Sequence, residues 1–172
     1  MSIARACLLL MIAGCVQRPP VAKPPRRVPE PHTYRADLQA SIAPPAGWMQ
    51  LPTERTEDHV TQVWVSPSDL TALGVIHFRL PLPVGHDLAV WGFLQNMKDS
   101  EGHAELIEQH WDAAADCMRF VAEGGRYRVR TKLFVNGLTG WAIFAGTRVG
   151  EEIDEVELRR AIAAREQVQV GR

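Results

Sequence analysis

Apolar and polar positions along the chain fall into runs of two different periods. Residues 60–66 (VTQVWVS) are rich in β-branched and aromatic side chains, and so are residues 73–80 (LGVIHFRL), which Pro81 and Pro83 bring to an end. Such side chains suit a pleated, half-buried surface. Pro67-Ser68-Asp69 lies between the two runs and supplies turn chemistry, so the pair is expected to form a hairpin. A shorter strand is expected near residues 48–51, inside a lead-in at 41–52. The period then changes. Across residues 87–99, Leu88, Trp91, Leu94 and Met97 recur on one helical face, widened by Val90 and Phe93. Asp87 stands where an acid favours a helix start, and the broad apolar face is expected to pack on a sheet.

Four more strands are expected at 104–111, 116–122, 127–135 and 141–148. Gly124-Gly125 and Asn136-Gly137 separate two of the joins, and such dipeptides between alternating runs are strong hairpin signals. Residues 151–165 are expected to form a closing helix. Its acids (Glu151, Glu152, Asp154, Glu155, Glu157) come first and its arginines (Arg159, Arg160, Arg165) last, as the helix dipole favours. The order is strand pair, helix, antiparallel meander, helix, with no internal repeat. Short connections make consecutive strands antiparallel, and two helices can cover the sheet. The expected class is therefore α+β, an antiparallel β-sheet flanked by two helices, in one globular domain over residues 36–166 with a tail at 167–172.

This element order, with Gly47-Trp48 near its start and Gly140-Trp141 in its last strand, resembles the α/β/α sandwich of the PsbP/Mog1-like superfamily. The resemblance covers about residues 40–166. It implies binding and assembly roles rather than catalysis, although fold alone assigns no function.

The first 35 residues read differently. Arg5 is followed by an apolar run at 6–13, too short for a bilayer, which needs about 20 residues. This is the layout of an export signal. Ile12-Ala13-Gly14-Cys15 resembles the lipobox of bacterial lipoproteins, in which small residues flank the cut and the cysteine thiol accepts lipid. The resemblance implies a signal peptide at 1–14, removal of Cys7 with it, and membrane lipid attached through Cys15. It places the protein in the cell envelope, facing the periplasm in a Gram-negative cell; palmitate is an expected acyl group. Residues 15–35 are expected to be a basic, proline-rich linker: six prolines and five cations against one acid lie in 16–35. Such a segment cannot bury enough apolar surface to offset the cost of ordering.

Composition changes the picture little. The chain has 172 residues, 46% of them hydrophobic, and a formal net charge of −1. That near-balance gives no reason to expect nucleic acid as a partner. All five tryptophans lie beyond residue 47, where a core can bury them.

Candidate chemistry is sparse. No two of the six histidines have the i, i+4 spacing of a helical zinc site, and there is no Cys-x-x-Cys. No Gly-x-Ser-x-Gly elbow or phosphate loop is present. Cys117, beside Asp112 and Asp116, is expected to be a small core residue rather than a reactive thiol. No cofactor or metal is expected. The distinctive pattern is Arg126, Arg128, Arg130 and Lys132, which alternate along an expected strand. A period of two sets them on one face, as a strip for an anionic envelope ligand or an acidic protein partner, or as a set answered by acids such as Glu105, Glu108, Asp116 and Glu123 on neighbouring strands. The leading expectation is a membrane-tethered, non-enzymatic binding or assembly module. The alternative is a hydrolase-like envelope enzyme with a dispersed site from residues such as His86, His103 and Asp112; with His110, the same residues are the set that could converge around a metal.

Overall fold

A computed structural model describes residues 33–171. The expected signal peptide, Cys15 and all but the last three residues of the expected linker lie outside them. In chain order the elements are β1 (Thr33–Arg35), β2 (Ala40–Ile42), β3 (Met49–Gln50), β4 (Glu54–Arg55), β5 (His59–Val65), β6 (Thr71–Arg79), α1 (His86–Glu101), β7 (Ala104–Asp112), β8 (Cys117–Gly124), β9 (Tyr127–Asn136), β10 (Thr139–Arg148), α2 (Glu155–Gln167) and β11 (Gln169–Val170). The fold class is the expected one: antiparallel sheet with two helices.

The main sheet runs β3-β5-β6-β10-β9-β8-β7, with β4 also pairing β5. The β5–β6 hairpin and the β7–β10 meander are therefore welded through β6 and β10, which pair antiparallel from Thr71↔Thr147 to Arg79↔Thr139. β10 is consequently central, and all but its two end residues are buried. Where β6 meets β10, two glycines sit opposite two phenylalanines, Gly74 against Phe144 and Gly140 against Phe78. Each ring lies over the bare backbone of its partner: a Cβ on Gly74 would fall 2.1 Å from Phe144 Cζ, and one on Gly140 2.4 Å from Phe78 Cζ.

Both faces of the sheet are covered. One carries α2, which packs on β6 and β10, and the small sheet β1-β2-β11. Leu38, Leu73, Phe134, Trp141, Ile143 and Cys117 are buried there. Trp141 donates its indole Nε1–H to the Leu38 carbonyl at 2.9 Å, so the ring is satisfied as well as buried. The other face carries α1, which packs on β7, β8 and β9.

The structure departs from expectation in three places. β1 falls on the last three residues of the expected linker, and β11 on the expected tail; both pair with β2. They are too short to show a period. The closing helix starts at Glu155 rather than 151, because Asp154 caps it, its side chain accepting from the Val156 and Glu157 backbone N–H groups. On α1, Val90 and Met97 are buried as expected, but Leu88 is 53% and Trp91 58% exposed. The helix lies over only the β7–β9 half of the sheet, so part of its apolar face overhangs the β5–β6–β10 half.

Candidate functional site

That overhang leaves a pocket of about 400 Å³ between α1, the segment joining β6 to α1, and the sheet. Ile76, Phe78, Leu133 and Ala142 form its floor, and Leu82, Leu88 and Trp91 lie on its α1 side. The last three are all more than half exposed and form its rim. This volume is in the range of small-ligand sites, about 300–1,000 Å³, which are mostly apolar with a few placed polar groups. Sequence reasoning missed the pocket. Its walls read as core positions of a helix and two strands, and nothing local shows that the helix stops short of covering them.

One polar group stands out on this wall. His59, at the start of β5, is 7% exposed. Its Nδ1 lies 2.6 Å from Thr56 Oγ1, which also accepts from the backbone N–H groups of Asp58 (3.3 Å) and His59 (3.2 Å). The hydroxyl proton has two acceptors in reach, Nδ1 at 2.6 Å and the His59 carbonyl at 3.5 Å. Burial pushes the ring toward its neutral form, against a weaker opposing effect of Asp58. Nε2 is buried and has no hydrogen-bond partner among the described residues.

The basic strip is placed mainly against carboxylates. Arg128, Arg130 and Lys132 alternate along β9 as expected, but Arg126 precedes the strand and its Nε reaches Glu101 on α1 at 3.1 Å. Arg128 meets Glu123, directly opposite on β8, at 2.6 Å. Lys132, nearly buried, is 3.4 Å from Glu166 at the end of α2. Glu166 accepts a two-pronged contact from Arg119 at 2.8 and 2.8 Å and another from Arg165 at 2.6 Å. Burial raises the Glu166 carboxyl, but the bonds from Arg119 and Arg165 outweigh it and hold the group at about 2. Arg119 also binds Asp112 at 2.6 Å. Arg165 Nη1 donates to the backbone carbonyl of Arg130 at 2.9 Å. Of the acids on neighbouring strands, Glu123 is one that answers the strip; Glu101 and Glu166 come from the helices, which the strand pattern alone does not reveal.

The dispersed histidine set has other neighbours. His86 opens α1 and packs edge-on against Trp111, ring centroids 4.6 Å apart. His103 follows the helix and is exposed, and His110 on β7 lies 3.5 Å from Glu108. Asp112 is held by Arg119 and by the Ala114 and Ala115 backbone N–H groups. Among the described residues no group of three His, Cys, Asp or Glu side chains is arranged to hold a metal ion. Cys117 is fully buried, and burial is the chief cause that pushes its thiol up.

With this geometry in view, the comparisons are informative about fold. The solution structure of cyanobacterial PsbP (CyanoP) from Synechocystis sp. PCC 6803 superposes with a TM-score of 0.60, over 88% of this chain and 98% of that one, at 13% identity. The fold is PsbP-like. No protein-family model matches the chain, and the search of curated proteins finds no match. A crystal structure from Bacteroides thetaiotaomicron VPI-5482 aligns at a TM-score of 0.42 and 14% identity, over 81% of this chain and 48% of its own. The PsbP-like superposition spans nearly the whole described region, so the pocket and the strip both lie on this scaffold.

Proposed function

We propose that the protein is a lipid-anchored accessory protein of the bacterial envelope, whose PsbP-like domain works by binding rather than by catalysis. The observation that carries the reading is the superposition on CyanoP over 88% of the chain, since the resemblance implies binding and assembly roles. Ile12-Ala13-Gly14-Cys15 supports the anchor. No helix among the described residues is long and apolar enough to cross a membrane. Two or more acyl chains on Cys15 would attach the protein stably, whereas one chain anchors only marginally. The basic strip is proposed to take part through Arg126 and Arg128, whose side chains stay 42% and 46% exposed while paired, meeting an anionic envelope surface or an acidic partner.

The test of the anchor is Cys15→Ser. The thiol is the lipid acceptor, so the variant is expected to lose incorporated labelled fatty acid and to remain unprocessed. A variant that still carries labelled fatty acid would refute the anchor.

A further inference from the structure

Five large apolar side chains that stay in solvent converge on one end of the domain. Leu82 (56% exposed) lies in the segment joining β6 to α1, Leu88 (53%) and Trp91 (58%) on the first two turns of α1, Trp111 (46%) near the end of β7 and Leu138 (52%) in the β9–β10 turn. The fold brings them together. β6 and β10 pair as far as Arg79↔Thr139, which sets the exit of β6 beside the β9–β10 turn, and the Leu80 backbone N–H donates to the Leu138 carbonyl at 2.8 Å. Trp111 packs against His86, which opens α1. Residues 80–85 (LPLPVG) carry no charged and no polar side chain, and Pro81, Leu82 and Pro83 are all exposed. We propose that this end is a membrane-docking surface, which enters the interfacial layer of the bilayer that holds Cys15.

The chemistry of this end selects lipid. Hydrocarbon offers the backbone no hydrogen bonds, so a loop that enters it must bring few free N–H groups. Pro81 and Pro83 have none, and that of Leu80 is already bonded to Leu138. A protein strand docking along the loop would need the donors that the prolines remove. Tryptophan beside leucine suits the interfacial layer, where the indole N–H stays wet while ring and methyl groups leave water. Asp87 beside Leu88 accepts from the Gln109 side chain at 2.7 Å, and Arg79 stands exposed just before the loop; both charges belong at headgroup level, which keeps the entry shallow. Fully extended, residues 16–32 span up to about 60 Å, so a lipid on Cys15 leaves the domain free to turn this end to the bilayer and holds it there at high effective concentration. Arg126 and Arg128 belong to the opposite end, since β9 runs from Tyr127 to Asn136 and Leu138 follows it. They are left open to the anionic surface or acidic partner assigned to them above. The inference adds a second lipid contact to the anchored module and rests on that reading.

The experiment places the protein purified from membranes in vesicles of phosphatidylcholine whose acyl chains carry bromine, which quenches indole fluorescence on contact. Phosphatidylcholine has no net charge, so the basic strip is not drawn to it. Trp91 and Trp111 are expected to be quenched at low and high salt alike, and Trp91→Phe with Trp111→Phe to lower the quenched emission at least threefold. Trp64 and Trp141, 4% and 1% exposed, should stay bright. Leu82→Asp with Leu138→Asp changes two exposed positions. That variant is expected to keep its melting temperature and its flotation with the vesicles while quenching falls about threefold, and Arg128→Gln to leave quenching unchanged. Flotation reports the anchor and quenching the docking. Protein that floats without quenching keeps the anchor and overturns the docking. Quenching of protein whose mass shows no acyl group supports the docking and refutes the anchor. Quenching that persists in Leu82→Asp with Leu138→Asp would overturn the proposal, and so would an unquenched Trp91 that crosslinks to a protein in cells, which reassigns this end to a protein interface.

Discussion

Replacing Glu166 by glutamine tests whether the cations around the end of α2 are an internal network. The substitution keeps the shape and removes the charge that Arg119, Arg165 and Lys132 share. Two limits bracket the cost. Exposed ion pairs contribute about 0–1 kcal/mol, and breaking a buried one costs about 3–5 kcal/mol. Glu166 lies between them: its side chain is 35% exposed, while those of Lys132 and Arg165 are 6% and 10% exposed. The carboxyl is held down from about 4.5 to about 2. At 1.36 kcal/mol per tenfold change in proton affinity, that is roughly 3 kcal/mol before allowing for solvent screening. A third-exposed group warrants a discount, and about 2 kcal/mol is the expected loss at neutral pH. The pH dependence is distinctive. A depressed carboxyl contributes its full stability above its unfolded value, near 4.5, and loses it as pH falls through its folded value, near 2. Urea unfolding of wild type and Glu166→Gln is therefore expected to differ by a constant amount from pH 7 to about 5. The two should then converge on acidification and coincide near pH 2. A difference below about 0.5 kcal/mol at pH 7, or one unchanged at pH 3, would refute the network.

Two further outcomes follow from the sheet. Gly74→Ala drives a Cβ into the buried Phe144 ring and is expected to cost about 1–3 kcal/mol, measured by denaturant midpoint, as overpacking does. Adding Phe144→Leu should recover part of that loss, and a strictly additive double variant would show that the ring is not what the new methyl meets. Arg128→Gln with Arg130→Gln removes one exposed ion pair, while the Arg130 carbonyl that Arg165 uses is kept. Stability should stay within about 1 kcal/mol, and cosedimentation with phosphatidylglycerol vesicles at low salt should fall. Unchanged cosedimentation would remove the strip from the binding surface.

The hydrophobic pattern determined much of this protein. The eight long elements are where period and turn chemistry put them, to within a few residues at their ends, because strand alternation, helical recurrence and glycine turns act over a few residues. Local alternation was likewise enough to set Arg128, Arg130 and Lys132 on one face of β9. It put Arg126 with them, whereas the strand begins one residue later and that side chain turns to Glu101. What lay beyond the pattern was non-local. The joining of hairpin and meander through β6 and β10 brings together residues some 70 positions apart, as in Thr71↔Thr147, and no local signal marks that partner. The carboxylates that answer the strip from α1 and α2 depend on how each helix is laid across the sheet. The pocket depends on the same placement. Leu88 and Trp91 carry the helical period of a buried face, yet half of each is in solvent, because α1 covers one half of the sheet and leaves an apolar cavity over the other.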